Sequence, residues 1–120
     1  MNIQEMATAV GHKLPVKIAV INNGYLGMVR QWQELFYGRR YSGVSLMENN
    51  PDFVKLAEAY GGVGLRCEKA EDVVPTIEKA LEVDDRPVMM DFVCVEEENV
   101  FPMIPGGKSV GDMLTAQPNG

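Results

Sequence analysis

The sequence has 120 residues, a formal net charge of −6 and 46% apolar residues. This length fits one domain with a substantial core, and the acidic balance argues against a basic face for nucleic acid. No apolar run approaches the roughly 20 residues of a membrane-spanning helix, and the N-terminus lacks the basic-then-apolar pattern of a signal peptide. We therefore expect a cytoplasmic protein without nucleic-acid or membrane partners.

The first part of the chain predicts a helix, a buried strand and a second helix. Asn2 and Glu5 have the spacing of a capping box, so a helix is expected that ends near Gly11. The apolar run at 16–21 is typical of a strand in a parallel sheet, and Asn-Asn-Gly ends it. From Leu26 the apolar spacing becomes helical, with Met28, Trp32, Leu35 and Phe36 expected on one apolar face.

The later part of the chain continues the alternation. Asn50-Pro51-Asp52 is typical of a helix start, with Pro51 expected in the first turn. The predicted elements after residue 36 are, in chain order, a loop at 37–50, a helix from 50 to 60, a strand at 63–67, an amphipathic helix at 70–83, a buried strand at 87–95 and an irregular tail. We expect two parts, a domain at 1–98 and a tail at 99–120.

The order of these elements predicts an α/β fold. Alternating helices and buried strands indicate a doubly wound, mostly parallel sheet with helices on both faces. The chain opens on a helix with no strand before it, so we expect the first strand of the fold to lie ahead of Met1. Cys67 and Cys94 lie in apolar stretches without a CxxC or histidine cluster, which predicts two buried free thiols and no zinc site.

Asn22-Asn23-Gly24, at the end of the first predicted strand, is the candidate site. Ligands of an open parallel sheet bind beyond the carboxyl ends of its strands. An asparagine oxygen and a backbone carbonyl of the next turn suit Mg²⁺, which often shares a phosphate ligand, and the following helix start offers N–H groups to that phosphate. Asn-Asn-Gly is also typical of an ordinary turn, and the residues alone favour that interpretation while leaving the metal–diphosphate site open.

The stretch MNIQEMATAVGHKLPVKIAVINNGYLGMVRQWQELFYGRRYS resembles the thiamine-diphosphate-binding region of the acetohydroxyacid synthase (acetolactate synthase) family. PDFVKLAEAYGG and RPVMMDFVCVEEENVFPMIPGG extend the similarity over almost the whole chain. Thiamine-diphosphate enzymes share a motif that opens with Gly-Asp-Gly and closes with Asn-Asn, and this chain holds the closing half. Gln31-Trp32 and PMIPGG are more specific, and they are similar to the biosynthetic branch.

The resemblance implies a role for each residue of the turn. The Asn23 side-chain oxygen and the Tyr25 backbone carbonyl would bind Mg²⁺. Met28 and Trp32 would face the substrate channel, and the tail segment at 102–107 would close over it. The residues implied to line thiamine diphosphate are Asn23, Gly24, Tyr25, Leu26, Gly27 and Met28.

The resemblance also implies the activity of the complete protein. Members decarboxylate pyruvate and join the product to a second 2-keto acid, pyruvate or 2-ketobutyrate, in branched-chain amino acid biosynthesis. They use thiamine diphosphate and Mg²⁺, and they carry FAD in a middle domain. A homodimer or higher oligomer is implied, and a regulatory small subunit is left open as a further partner.

Two features of the family pattern are missing from this chain. The Gly-Asp-Gly aspartate and the glutamate that activates thiamine have no counterpart in it, so we assign no catalytic residue and expect the chain alone to be inactive. Two alternatives stay open: a different thiamine-diphosphate decarboxylase or carboligase, and a non-catalytic α/β binding module.

Overall fold

The computed structural model describes residues 2–116, and these form two compact units. Residues 2–23 and 49–94 make the first unit, and residues 24–48 and 95–116 make the second. Met1 and residues 117–120, the end of the predicted tail, lie outside the described residues. The functional division into 1–98 and 99–120 stays a prediction.

Helices and strands alternate along the chain apart from one pair of successive helices. Those of the described residues are, in chain order, α1 (Glu5–Gly11), β1 (Lys17–Asn22), α2 (Gly27–Phe36), α3 (Phe53–Ala59), β2 (Val63–Cys67), α4 (Val73–Leu81) and β3 (Val88–Val93), with 3₁₀ turns at Ala70–Asp72 and Val110–Asp112. Helix α2 belongs to the second unit, and the other helices and all three strands belong to the first. No helix among residues 2–116 is long and apolar enough to cross a membrane.

The first unit contains a three-stranded parallel sheet in the order β1-β3-β2. In its register Asn22 lies opposite Val93, and Cys67 lies opposite Phe92. The central strand β3 is buried from Val88 to Phe92, as its continuous apolar run predicts. The predicted parallel α/β sheet is therefore confirmed.

Helices cover both faces of this sheet, because successive strand residues point to opposite sides. One core joins Met6 of α1, Ala57 of α3 and Met89 of β3. The other core joins Ala80 of α4 to the alternate strand residues on the opposite face; its buried members are Cys67, Ala80, Val88, Met90 and Phe92. The prediction of helices on both faces is confirmed.

Two predicted helix starts are wrong in detail. Helix α1 has Gln4, not Asn2, at its N-cap position, and that position makes no side-chain capping bond. Asn2 has a positive φ of 58°, and its carbonyl, not its side chain, accepts from the N–H of Glu5 at 3.1 Å. In α3, Pro51 precedes the cap, and Asp52 is the N-cap residue.

The second cysteine also departs from the prediction. Cys67 is buried, as expected for an inward-facing residue of β2, but Cys94 is exposed. Strand β3 ends at Val93, which is already 46% exposed, and Cys94 follows it outside the strand. An apolar sequence neighbourhood therefore does not ensure burial past a strand end.

Candidate functional site

A polar network occupies the carboxyl ends of the strands in the first unit. Asp91 of β3 is 1% exposed, and both carboxylate oxygens accept hydrogen bonds. Asn22 Nδ2 donates to Oδ1 at 2.9 Å, and Arg66 Nε donates to Oδ2 at 3.2 Å. Asn50 Nδ2 donates in turn to Asn22 Oδ1 at 3.3 Å. These bonds fix the side chain of the residue immediately before Asn23.

The same network includes the start of α3. Arg66 donates through a second nitrogen to Asp52 Oδ1 at 3.2 Å, while Asp52 caps the N–H groups of Val54 and Lys55. The N–H of Lys55, followed by the positive charge of Arg66, holds the pKa of Asp52 below its ordinary value of 3.8. An ionised Asp52 therefore joins the helix start to β2 through Arg66.

Gly24 opens the second unit with a backbone conformation that suits glycine. It is buried, and its φ of +69° lies in the left-handed region. A Cβ at this position would overlap the sulfur of Met47. The backbone angle therefore favours glycine here, and an added Cβ would also displace the flexible Met47 side chain, which is 64% exposed.

The residue after Gly24 is held by an antiparallel bridge between Tyr25 and Ser45. The N–H of Leu26 donates to the carbonyl of Val44 at 2.9 Å. The N–H of Leu46 donates to the carbonyl of Gly24 at 2.8 Å. In a bridge flanked by such bonds, the central residue's own carbonyl points away from the partner strand. The Tyr25 carbonyl, the predicted metal ligand, therefore faces away from Ser45.

Arg30 of α2 packs against the aromatic ring of Tyr25. Its guanidinium lies 5.5 Å from the centre of the Tyr25 ring and 5.0 Å from that of Tyr41, and it forms an ion pair with Glu34 at 2.8 Å. Arg30 is buried, so these contacts replace the water that its charge would otherwise hold. We did not predict this role from the sequence, because a charged residue at helical spacing usually indicates a solvated face.

The start of α2 has the features of an anion-binding helix end. Its N-cap residue, Leu26, makes no side-chain capping bond, and its first turn contains no acidic residue. The first N–H groups of a helix have no partner within the helix, and they favour a negative group. Gly27 and Met28, two of the predicted diphosphate-lining residues, stand at this start.

An open cavity of about 710 Å³ lies along α2 within the second unit. Met28 and Trp32, the two residues predicted for the substrate channel, both line it, and Met28 is 52% exposed. The full lining is Met28, Val29, Trp32, Gln33, Tyr37 and Arg40. The walls are mainly apolar, and Arg40, predicted to be a loop residue at the surface, brings a positive charge.

Helix α2 buries a polar pair beside its predicted apolar face. The buried residues of this helix are Arg30 and Gln31, whereas Met28 and Phe36 are exposed. The polar pair is buried because each side chain finds specific partners in the second unit, whereas Met28 and Trp32 line the cavity.

The residue types expected at the metal, an asparagine side chain and a backbone carbonyl, are of the kind that Mg²⁺ prefers over softer ligands. Asn23 is the last residue of its segment of the first unit, and Tyr25 belongs to the second unit. Within residues 2–116, no group of three or more His, Cys, Asp or Glu side chains is placed to hold a metal ion.

Residues 1–92 match the family model of the thiamine pyrophosphate enzyme C-terminal TPP binding domain. The chain belongs to this family. The resemblance inferred from the turn and its flanks is thereby confirmed at the level of the thiamine pyrophosphate enzymes.

Curated relatives of this thiamine pyrophosphate enzyme domain are named acetolactate synthases. The chain is 51% identical over 120 residues to acetolactate synthase from Mycobacterium bovis, covering 98% of this chain and 19% of that protein. It is 52% identical over 119 residues to the acetolactate synthase large subunit of Corynebacterium glutamicum, covering 97% of this chain and 19% of that protein. The chain thus spans about one fifth of these relatives.

A solved structure supports the fold of the domain. The chain is similar to the thiamine diphosphate-dependent 4-hydroxybenzoylformate decarboxylase of Rhodococcus jostii RHA1, with a TM-score of 0.69 and 30% identity. The similarity covers 81% of this chain and 18% of that one. The α/β fold inferred from the strand order therefore occurs in a thiamine-dependent enzyme.

Sequence reasoning missed three residues of this region. Asp91 has a signal that points to it, since it is a carboxylate inside the apolar run PVMMDFVCV. Gln31 is part of the Gln-Trp pair that carries the family resemblance, but that pair does not predict its burial. Arg30 carries no sequence signal that separates it from a surface charge.

Proposed function

We propose that this chain is the thiamine-diphosphate-binding, C-terminal part of an acetolactate synthase large subunit. The complete enzyme would decarboxylate pyruvate and join the product to a second 2-keto acid, pyruvate or 2-ketobutyrate, in branched-chain amino acid biosynthesis. The observation that supports this most is the Asn22-Asn23-Gly24 turn at the carboxyl end of β1, within a segment matching the TPP binding domain. Identity above 50% to relatives named acetolactate synthase favours this reaction over others of the family.

The residues of the turn would bind the cofactor rather than carry out bond changes. The Asn23 side chain and the Tyr25 carbonyl would hold Mg²⁺, and Gly24, Leu26, Gly27 and Met28 would line the diphosphate. When bound, thiamine diphosphate supplies an electron sink for the pair left behind as CO₂ departs. The network at Asp91 orients the strand end before Asn23, and Arg30 orients Tyr25 after it.

The cavity along α2 would hold the reacting keto acids. Met28 and Trp32 give it apolar walls, which exclude water from the reaction. The tail segment at 102–107 would close over this channel. Arg40 lies at the same cavity, where its charge is suited to a carboxylate.

The remaining parts of the proposal concern the complete enzyme. The Gly-Asp-Gly aspartate, the activating glutamate and the FAD site would come from parts of the enzyme outside this chain, so this chain alone is expected to be inactive. We expect the enzyme to be cytoplasmic and to form a homodimer or higher oligomer, and we leave a regulatory small subunit open as a further partner.

A chimera tests the proposal in a complete enzyme. This chain would replace the matching 119 residues of the Corynebacterium glutamicum large subunit. We expect the chimera to form acetolactate from pyruvate in a manner that depends on thiamine diphosphate and Mg²⁺. An inactive chimera that folds and assembles like the parent enzyme would contradict the assignment.

Asn23→Ala tests the proposed metal ligand, and Asn49→Ala is its matched control. Loss of the Asn23 oxygen should weaken Mg²⁺ activation on the order of tenfold or more, since even outer-shell changes at metal sites cost about 10–100-fold. Asn49 is an exposed asparagine of the loop before α3, so Asn49→Ala should leave Mg²⁺ activation unchanged. Equal Mg²⁺ affinity in both variants would remove the metal role and favour an ordinary turn in a binding module.

A second candidate is a different thiamine-diphosphate decarboxylase. The structural similarity to the Rhodococcus jostii decarboxylase favours it. The same chimera distinguishes the two: acetolactate formation supports the synthase, whereas consumption of pyruvate with release of acetaldehyde and no carboligation supports a decarboxylase.

A further inference from the structure

Gln31 is a buried amide that binds the backbone of a distant segment. Its side chain is 2% exposed. Nε2 donates to the carbonyl of Val100 at 2.9 Å, and the N–H of Val100 donates to Oε1 at 2.8 Å. Nε2 also lies 2.9 Å from the sulfur of Met103. The side chain thus pairs with Val100 as a neighbouring peptide group would, and it leaves neither of its polar atoms without a partner.

The segment that Gln31 binds continues into a closed loop. Met103 and Leu114 form an antiparallel bridge in which each N–H donates to the other's carbonyl, at 2.9 and 2.8 Å. Gly106, inside this loop, lies against Trp32: a Cβ at Gly106 would be 3.1 Å from Cη2 of the indole. Consecutive residues of α2 therefore contact the base of the loop and its interior.

Trp32 is positioned by two neighbours. Its ring meets Phe36 edge-on, with centroids 5.3 Å apart and planes at 67°, and Gly106 touches it from the tail. The same ring lines the cavity along α2. The position of Gly106 therefore affects the shape of the cavity, because Gly106 lies against the Trp32 ring that lines it.

We propose that Gln31 is a positioning residue that fixes segment 95–116 on α2 and, through Gly106, sets the orientation of Trp32 at the cavity. All of these contacts lie within the second unit. The assignment goes beyond the proposed function because it requires neither thiamine diphosphate nor a metal. Its test can therefore fail while the proposed function stands, and the reverse also holds.

Gln33 provides a matched control on the same helix. Its amide makes the same pair of backbone bonds, but to Ser42 of the loop: Nε2 donates to the Ser42 carbonyl at 3.1 Å and Oε1 accepts from its N–H at 3.0 Å. Gln31→Ala should speed amide hydrogen exchange at Val100 by about tenfold or more, and Gln33→Ala should do so at Ser42 only. Equal exchange at Val100 in Gln31→Ala and the wild-type chain would overturn the proposal.

Trp32 is the single tryptophan of the 120-residue chain. Its fluorescence therefore reports on whether Gln31 sets the orientation of the Trp32 ring. Gln31→Ala should shift Trp32 emission to longer wavelength and increase its quenching by acrylamide. Gly106→Ala should also shift the emission, but should add little in the Gln31→Ala background, because the tail no longer presses on the ring. An unshifted emission in Gln31→Ala, or fully additive shifts in the double variant, would overturn the link to Trp32.

Gln31→Glu keeps the proposal testable if Gln31→Ala fails to fold, as circular dichroism would show. An ionised glutamate accepts from the Val100 N–H but cannot donate to its carbonyl, whereas the protonated acid has a donor and an acceptor. Protection of Val100 relative to wild type should therefore recover as the pH falls. Protection equal to wild type at neutral pH, or no recovery in acid, would contradict the role of the donated bond.

Discussion

At the residue scale, Asp91 shows how this domain accommodates a buried charge. It is a carboxylate in an otherwise apolar strand, and burial of an unpaired carboxylate would be costly. Bonds from Asn22 and Arg66 satisfy both oxygens, and Arg66 continues to Asp52 at the start of α3. The stability of this group of residues therefore depends on charge as well as on packing.

Asp52 gives the network a dependence on pH. Its pKa is lower in the folded chain than the ordinary value of 3.8, so folding favours the ionised form. The stabilisation is complete above the unfolded pKa and is lost as the pH falls through the folded pKa. Asp52→Asn should lower the thermal midpoint near neutral pH, and this difference from wild type should shrink in acid, when midpoints are compared between about pH 2 and 6.

Glu58→Gln is the control for Asp52→Asn. It replaces an exposed carboxylate on the same helix, away from the cap position. The thermal midpoint of Glu58→Gln should match that of the wild-type chain at each pH between about 2 and 6. A constant difference between Asp52→Asn and wild type at every pH would show that the charge of Asp52 does not stabilise the fold.

Gly24→Ala tests the turn that follows Asn23. Alanine at a φ of +69° costs about 1–2 kcal/mol in backbone strain, and displacement of the flexible, 64% exposed Met47 side chain adds about 0.5–1.5 kcal/mol. Gly38→Ala is matched for strain alone, since its φ is +60° and nothing lies within 4 Å of an added Cβ. Urea unfolding should show a larger loss for Gly24→Ala, and Met47→Ala should restore part of it. Equal losses for the two glycine variants would refute the steric requirement.

At the element scale, α3 lies unusually close to β2. A Cβ on Gly64 would fall 2.5 Å from the carbonyl oxygen of Val54 and 2.6 Å from its Cα. The backbone of the helix therefore packs directly on the strand, which brings Asp52 within hydrogen-bond distance of Arg66. Glycine at position 64 allows the two elements that carry the polar network to meet.

Gly64→Ala should disrupt this packing. The obstructing atoms are backbone, so the helix must shift, and we expect a loss of about 3 kcal/mol in the free energy of unfolding measured with urea. Gly11→Ala, at the end of α1 with nothing within 4 Å, should change stability by less than about 0.5 kcal/mol. Similar unfolding midpoints for the two variants would contradict the close approach of α3 and β2.

At the scale of the whole molecule, much apolar surface is exposed. Ile21 of β1 is 69% exposed, Leu81 of α4 is 64% exposed, and Val74 and Met28 are also open to solvent. The chain spans about one fifth of its curated relatives, which are therefore much longer proteins. Where exposed apolar side chains lie next to one another, they favour contacts with other protein surfaces.

We therefore expect the isolated 120-residue chain to self-associate. Sedimentation velocity over a range of concentrations should show species larger than the 13.3 kDa monomer, increasing with concentration. Ile21→Lys, which places a charge on the exposed end of β1, should reduce that association. A single monomeric species at every concentration would contradict the prediction.

Much of the fold follows from local sequence pattern. Apolar runs and helical spacing predict the strands and α-helices of residues 2–116, because the period of side chains along an element is set by its backbone geometry. The Asn-Asn-Gly turn was also visible, since it interrupts an apolar run with residues that end strands. The sequence predicts the first residues of helices less accurately. Asn2 and Pro51 have the patterns of helix starts, but the helices begin at Glu5 and Phe53.

The partners of polar residues were decided only by tertiary structure. Gln31 and Val100 are 69 positions apart, as are Asn22 and Asp91, and no local period relates residues at that separation. The burial of Arg30 and the exposure of Cys94 likewise depend on which segments fold over them. The sequence by itself determined the elements and the turn of this protein, because backbone geometry acts between neighbours. Only the tertiary structure decided which polar side chains are buried, because that depends on partners distant in the chain.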